Sequence, residues 1–187
     1  MVKIESILTI NLKLNQPKAY TGTIAFQLGE KMIFYIILIG LVGLDQITKA
    51  LIHSKFLEGD TFPIIQDFFH LTYVQNRGVA FGVMQGKLMI INIVSISAVV
   101  LMVIYAKKNY TKFPKIENYA WLFIISGAFG NILDRMFRGF VVDMIDFRGI
   151  WGYIFNLADV YINIGVILMI INSIIEERAK KRGGNTK

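Results

Sequence analysis

The sequence contains no cysteine and only two histidines, His53 and His70. The missing cysteine excludes a thiol nucleophile, a disulfide framework and cysteine-rich zinc sites. No His-Glu-x-x-His segment occurs, so the common helix-borne zinc protease motif is absent as well. Any catalysis is therefore expected to depend mainly on carboxylates, lysine and arginine.

Charged residues are also scarce. They make up 18% of the 187 residues, whereas 55% are hydrophobic, and soluble domains usually contain roughly 25% charged residues. The hydrophobic residues fall in blocks between charged stretches, which predicts a single-domain membrane protein. A membrane-crossing helix needs about 20 mostly apolar residues. Four blocks meet this requirement, at about 32–52, 88–106, 118–136 and 156–175.

The distribution of lysine and arginine predicts the orientation of these spans. Four lysines lie between residues 107 and 115, and five basic residues lie in the tail after residue 177. Short loops rich in Lys and Arg stay in the cytoplasm. We therefore expect both termini in the cytoplasm, and we interpret the net charge of +7 as a topology signal rather than a nucleic-acid-binding surface.

The first 31 residues fit this scheme poorly. The segment "KIESILTINLKLNQP" alternates apolar and polar residues like a strand, and no continuous apolar region marks a signal peptide. Met32 stands directly before the first span and could be the natural start. Residues 1–31 are interpreted as a cytosolic extension or a start-site artefact, and residues 32–187 as the membrane domain.

The polar residues of the predicted spans gather toward the outer surface. Ionisable residues at membrane depth are rare and commonly functional, so together they predict a functional site there. Structural explanations remain open for single pairs: Asp45 and Lys49, four apart on one helix face, could neutralise each other, and Asp134 and Arg135 could pair at a helix end. The residues gathered at this surface are Asp45, Lys49, Asn131, Asp134, Arg135, Asn156 and Asp159.

The segment "VVDMIDF" (141–147) places two further carboxylates, Asp143 and Asp146, between spans three and four. Two acids held close together share one proton, and such a pair activates water in aspartic proteases. Asp143 can pair with Asp159 across a helix hairpin, or with Asp146. In a strand Asp143 and Asp146 would point to opposite faces, whereas in a helix they would be neighbours.

Two other functions are compatible with buried acids. A small ion-coupled transporter would carry polar residues through the full membrane depth and often an internal repeat, whereas here the charges crowd one side and no repeat is visible. A membrane assembly factor would use the acid cluster only structurally.

Five motifs are similar to those of the lipoprotein signal peptidases, also called signal peptidase II. They are "DQITK" (45–49), "NRGVAFG" (76–82), "GAFGNILDR" (127–135), "VVD" (141–143) and "FNLAD" (155–159). They occur in the family's order through the four predicted spans, so the resemblance covers roughly residues 32–175.

The resemblance implies a membrane aspartic endopeptidase of the bacterial cytoplasmic (inner) membrane, with its active site at the outer face. It would remove the signal peptide from diacylglyceryl-modified prolipoproteins, cutting before the lipidated cysteine. The matching catalytic residues are Asp143 and Asp159, and Asp146 is assigned no catalytic step. Substrate-binding or supporting roles would fall to Asp45, Lys49, Asn76, Gly78, Asn131, Asp134, Arg135 and Asn156.

The implied fold is an all-α polytopic membrane protein with four transmembrane helices and a small β-sheet cradle in the first outer loop. "HLTYVQN" (70–76) is compatible with a strand of that sheet. No metal or organic cofactor is implied. The expected partners are lipid-modified prolipoproteins and membrane lipids, with no nucleic acid, and the chain is expected to be monomeric.

Overall fold

The computed structural model describes residues 17–78 and 87–184. Within these residues the helices are α1 (Pro17–Lys55), α2 (Leu88–Asn109), α3 (Lys115–Phe137) and α4 (Leu157–Gly184). The strands are β1 (Thr61–Ile65), β2 (Phe69–Asn76) and β3 (Val141–Phe147). The chain divides into two compact units, Met1–Ile37 and Leu38–Lys187, and all residues of the candidate site belong to the second.

Three helical segments within the described residues are long and apolar enough to cross a membrane: Lys31–Lys55, Met89–Asn109 and Leu157–Arg182. They match three of the four predicted spans. Helix α3 is not among them, so the third predicted span, at about 118–136, stays a prediction. This helix packs against both α2 and α4 and buries polar residues such as Ser126 and Asn131. A helix enclosed by other helices needs a less uniformly apolar surface than one that faces lipid.

Glycine allows α3 and α4 to approach closely. A Cβ atom on Gly127 of α3 would lie 2.2 Å from the carbonyl oxygen of Ala158, at the start of α4. A Cβ atom on Gly165 of α4 would lie 2.6 Å from the carbonyl oxygen of Ala120. Small residues at such contacts are typical of helix packing in membranes.

The three strands form one antiparallel sheet in the order β1-β2-β3. The strand predicted within "HLTYVQN" is confirmed as part of β2. The resemblance implies a sheet in the first outer loop, and β1 and β2 lie in that stretch, between α1 and α2. The third strand was not expected: β3 is the segment "VVDMIDF", between α3 and α4. Its Val, Ile and Phe side chains favour an extended strand, and β2 provides the neighbouring strand with which it pairs.

One face of the sheet is packed against the end of α1. Tyr73 of β2 and Val142 and Met144 of β3 form a buried apolar cluster with Ile52 of α1 and Phe140. Successive residues of a strand point to opposite faces. Asp143, between Val142 and Met144, therefore points to the other face of β3.

The strand-like pattern of "KIESILTINLKLNQP" lies outside the described residues except for its last residue, Pro17, where α1 begins. Proline is favoured at the first position of a helix, since its missing N–H would have no intrahelical partner there. Helix α1 continues through residues 31 and 32 without interruption. The division between an extension at 1–31 and a membrane domain at 32–187 stays a prediction.

Candidate active site

The sheet places Asp143 beside Asn76. Val74 lies opposite Asp143 and Asn76 lies opposite Val141 in the pairing of β2 with β3, so Asn76 and Asp143 share one face. The Asn76 side chain donates a hydrogen bond from Nδ2 to Asp143 Oδ2 at 3.0 Å. Its Oδ1 accepts the backbone N–H of Gly78 at 3.0 Å. Asn76 therefore links Asp143 to the segment that follows β2.

The start of α4 fixes Asp159. Asn156 directly precedes the helix, and its Oδ1 accepts the backbone N–H of Asp159 at 3.1 Å. In return, Asp159 Oδ2 accepts the backbone N–H of Asn156 at 3.2 Å. This reciprocal arrangement is a capping box, in which two helix-end N–H groups are satisfied by the two side chains. It holds the Asp159 carboxylate at the beginning of the last helix, as the sequence predicted.

Two asparagine side chains connect the two aspartates. Asn156 Nδ2 donates to Asp143 Oδ1 at 2.6 Å and makes a longer contact of 3.3 Å to Asn131 Oδ1. Asn131 Nδ2 donates to Asp159 Oδ1 at 2.9 Å. Asp143, Asn131 and Asn156 are all buried. The structure therefore joins Asp143 and Asp159 into one hydrogen-bonded group.

Asp143 lies in an environment that favours its protonated form. Burial and, as the second cause, the negative charge of Asp159 together raise the pKa of Asp143 from 3.8 to about 7. The hydrogen bonds from Asn76 and Asn156 and the charge of Lys49 act in the opposite direction but do not outweigh burial. At neutral pH, Asp143 can therefore hold a proton beside Asp159.

Lys49 lies at the centre of a buried ionic cluster behind the two aspartates. Its Nζ is 2.9 Å from Asp45 Oδ2 and 3.2 Å from Asp134 Oδ2. It also donates to Asn131 Oδ1 at 2.9 Å. The side chains of Lys49, Asp45 and Asp134 are all completely buried. The predicted Asp45–Lys49 pair is confirmed, and it extends to Asn131, which contacts Asp159.

The structural alternative in which Asp134 pairs with Arg135 does not hold. Asp134 pairs with Lys49 and, through Oδ1, with Arg138 one helical turn later. Residues i and i+4 of a helix lie on the same side, whereas consecutive residues do not. Arg135 instead donates from its guanidinium group to the carbonyl oxygen of Gly78 at 3.2 Å, with a longer contact of 3.5 Å to the carbonyl oxygen of Asn131.

Two further members of the ionic cluster, Gln46 and Arg138, were not among the site residues predicted from the sequence. Gln46 Nε2 donates to the carbonyl oxygen of Gly130 at 3.0 Å and contacts Asp134 Oδ1 at 3.2 Å. Arg138 donates to Gln46 Oε1 at 2.9 Å and completes the charge balance of the cluster. The four-residue spacing from Asp134 to Arg138 was the signal available in the sequence.

Asp146 lies apart from this group. Because it follows Asp143 by three residues in a strand, its side chain points to the opposite face. Asp146 Oδ2 accepts the hydroxyl of Thr72 at 2.7 Å and the Nε–H of Arg148 at 3.3 Å. The alternative Asp143–Asp146 pair is therefore not formed, and Asp146 pairs with Arg148 instead.

A cavity of about 1090 Å³ opens onto Asp143 and Asp159. Most of its wall is apolar, and its polar groups converge at one part of the lining. Arg135 contributes to this wall, and its Nε has no acceptor among the described residues. The apolar lining residues include Phe68, Val74, Val141, Phe147, Ile150, Trp151, Ile154, Phe155 and Ile162, and the polar ones include Asn76, Asn131, Arg135, Asp143, Asp159 and Asn163.

Within residues 17–78 and 87–184, no group of three or more His, Asp or Glu side chains is arranged to hold a metal ion. The polar groups that line this cavity include the two carboxylates, asparagine amides and the Arg135 guanidinium.

Comparison with known proteins places these features in the class of membrane-embedded proteases. The family model for Signal peptidase (SPase) II matches residues 36–175. The chain belongs to the signal peptidase II family, and membership implies a protease that cleaves prolipoprotein signal peptides.

Individual relatives agree with this assignment. The lipoprotein signal peptidase of Fusobacterium nucleatum is 48% identical over 155 residues, which cover 83% of this chain and 94% of the relative. That of Clostridioides difficile is 44% identical over 140 residues, covering 75% and 93%. A solved bacterial membrane enzyme superposes with a TM-score of 0.70 at 33% identity, covering 83% of this chain and 92% of that one.

Proposed function

We propose that this chain is an aspartic endopeptidase that removes the signal peptide from diacylglyceryl-modified prolipoproteins, cutting before the lipidated cysteine. The observation that carries the proposal is the hydrogen-bonded group in which Asn131 and Asn156 connect Asp143 with Asp159 beside one cavity. Asp143 and Asp159 together are the catalytic dyad of this proposal.

The two aspartates take different parts in the reaction. Asp159, whose two carboxylate oxygens accept N–H groups, acts as the base and removes a proton from a water molecule in the cavity. That water attacks the scissile carbonyl carbon while protonated Asp143 donates its proton to the carbonyl oxygen. Collapse of the tetrahedral intermediate breaks the C–N bond. The proton held by Asp159 passes to the leaving amine, and Asp143 recovers its own proton from the intermediate.

The cavity wall provides the substrate contacts. Phe147 and Trp151 offer apolar surface to a signal peptide and its lipid. The Nε–H of Arg135 is available to a backbone carbonyl oxygen of the substrate, because a buried donor without a partner is costly until a ligand supplies an acceptor. Asn76 and Gly78 hold the edge of the cavity next to Asp143.

In the proposed topology α3 also crosses the membrane, as the third of four spans, and both termini lie in the cytoplasm. The dyad then lies at the outer face of the bacterial cytoplasmic (inner) membrane. A lipidated substrate anchored in the bilayer meets the dyad there without leaving the lipid phase. The chain acts as a monomer surrounded by membrane lipids and needs neither a metal, an organic cofactor nor nucleic acid.

The direct test compares two forms of one prolipoprotein, with and without the diacylglyceryl group on its cysteine. The purified chain in lipid vesicles should cleave the lipidated form at the bond before the cysteine, as mass spectrometry of the products would show, and leave the unmodified form intact. Equal cleavage of both forms would refute the lipid requirement, and no cleavage of the lipidated form would refute the function.

A further inference from the structure

Two buried carboxylates hold the backbone directly beside the dyad. Asp134 Oδ2 accepts the N–H of Val142 at 2.9 Å, one residue before Asp143. Asp45 Oδ1 accepts the N–H of Ala158 at 3.0 Å, one residue before Asp159. The backbone next to each dyad aspartate is thus fixed by a carboxylate from another helix.

Lys49 connects these two carboxylates. Its ammonium group lies between Asp45 Oδ2 at 2.9 Å and Asp134 Oδ2 at 3.2 Å. Its third hydrogen bond goes to Asn131 Oδ1. An ammonium group has three N–H donors, and Lys49 is completely buried. Lys49 therefore has no donor left for a substrate.

We propose that Asp45, Lys49 and Asp134 form a positioning strut that sets the distance between the Asp143 and Asp159 carboxylates without touching the substrate. The proposal rests on the proposed function of the dyad. The proposed role of the strut is more than charge neutralisation. Its two carboxylates also accept the backbone N–H groups that precede the two dyad residues, and an ion pair that only neutralised charge would not make these bonds.

The physical basis is the stiffness of a buried ionic group. A buried charge that loses its partner is left uncompensated, so the strut resists any movement that would separate its members. Catalytic groups must be held within about 0.5 Å of their productive geometry by such supporting contacts. Since the strut reaches both sides of the dyad, a shift of Asp45 is transmitted to the position of Asp159.

Gly130 allows this shift to be produced without changing any charge. A Cβ atom at Gly130 would lie 2.5 Å from Asp45 Oδ2, so Gly130→Ala must displace that carboxylate. Gly165→Ala is the matched control. Its Cβ would lie 2.6 Å from the carbonyl oxygen of Ala120, in the same tight helix pairing but on none of the strut residues.

The test measures kcat, KM and the pH profile of cleavage of the lipidated prolipoprotein, together with thermal unfolding, for the wild type and both variants. Gly130→Ala should lower kcat at least tenfold with KM within about twofold of the wild-type value. The alkaline limb of the pH–rate profile of Gly130→Ala should move to lower pH. A greater distance between the two carboxylates weakens the repulsion that Asp159 exerts on Asp143, and the pKa of Asp143 falls. The charged groups that face Asp143 are Asp159, Arg135 and Lys49. Gly165→Ala should lower the unfolding temperature and leave kcat and the pH profile unchanged.

A wild-type kcat and pH profile in Gly130→Ala would overturn the strut, and so would an increase confined to KM, which would indicate substrate binding. If Gly130→Ala does not fold, Asp134→Asn decides instead. The asparagine keeps an oxygen for the Val142 N–H but loses the charge that binds Lys49. We therefore expect kcat to fall and the alkaline limb of the pH–rate profile to shift. An unchanged pH–rate profile would refute the proposal. Failure of the wild type to cleave the lipidated substrate would refute the proposed function separately.

Discussion

At the scale of single residues, strand geometry separates the two acids of "VVDMIDF". Asp143 points to the cavity and joins Asn76 and Asn156, whereas Asp146 points away and contacts Arg148. The difference follows from their spacing of three residues, since side chains alternate along a strand. Residue spacing alone left both pairings of Asp143 open. The family resemblance favoured Asp159 as the partner, and the strand geometry of β3 agrees with that choice.

The protonation of Asp143 predicts how stability and activity depend on pH. Because its pKa is raised from 3.8 to about 7, Asp143 keeps its proton in the folded chain but loses it in the unfolded chain between these values. Its contribution to stability therefore declines as pH rises through this interval and levels off above pH 7. Cleavage should also fall above pH 7, approaching about tenfold per pH unit, because the proton donor is lost.

Cleavage rates and thermal unfolding measured from pH 5 to 9 would check this prediction. The Asp143→Asn variant provides the control for stability, since an amide cannot ionise. The decline should be smaller in this variant than in the wild type. A wild-type rate that keeps rising well above pH 7 would contradict the assignment of Asp143 as the proton donor.

At the scale of elements, the helices were largely predictable because each hydrophobic block is continuous in the sequence. The second block was predicted at 88–106 and forms α2 at Leu88–Asn109, and the fourth was predicted at 156–175 and begins as α4 at Leu157. Strand β3 was missed for a physical reason. It pairs with β2 across a long stretch of chain that contains α2 and α3, and such pairing leaves no local pattern.

The contacts of the ionic cluster were likewise only partly predictable from the sequence. The sequence indicated that Asp45 and Lys49 pair within α1, because the two residues are four apart. It could not indicate that Lys49 also reaches Asp134 or that Asp45 caps the backbone at Ala158. These contacts depend on how the helices pack, which the hydrophobic pattern alone does not specify.

The contact between the sheet and α1 predicts how much stability is lost when the Tyr73 hydroxyl is removed. Tyr73 is buried, and its hydroxyl lies 2.7 Å from His53 Nδ1 of α1. Tyr73→Phe should reduce stability by about 0.5–1.5 kcal/mol, the usual net value of one hydrogen bond, and leave cleavage close to the wild-type rate. Thermal unfolding of the purified protein would measure the loss.

A double-mutant cycle isolates this contact. His53→Ala removes the partner, so Tyr73→Phe should cost less in the His53→Ala background than in the wild type. Fully additive losses would show that the Tyr73 hydroxyl and His53 do not stabilise the docking of the sheet.

At the scale of the whole molecule, the proposed topology depends on α3, which packs against α2 and α4 and is not among the described helices that are long and apolar enough to cross a membrane. The absence of cysteine makes its crossing directly testable. Lys112 precedes α3 and Arg148 follows it, and both residues are exposed. Single cysteines at these positions would report the side of the membrane on which each end of α3 lies.

An impermeant thiol reagent added to intact spheroplasts should label Arg148→Cys. Lys112→Cys should react only after the membrane is opened, and the cysteine-free parent gives the background. Labelling of both positions from the same side would show that α3 does not cross, and the reverse pattern would invert the proposed orientation.

The central claim is that Asp143 and Asp159 carry out the cleavage, and the most direct measurement is hydrolysis of a lipidated prolipoprotein by single aspartate-to-asparagine variants. Asp143→Asn and Asp159→Asn should each lose at least about 10³-fold in kcat, because water attack needs both the base and the proton donor. Asp146→Asn is the matched control from the same strand and should retain a rate close to the wild type. Near-normal turnover by Asp143→Asn or Asp159→Asn, in protein that is folded and inserted in the membrane, would contradict the account.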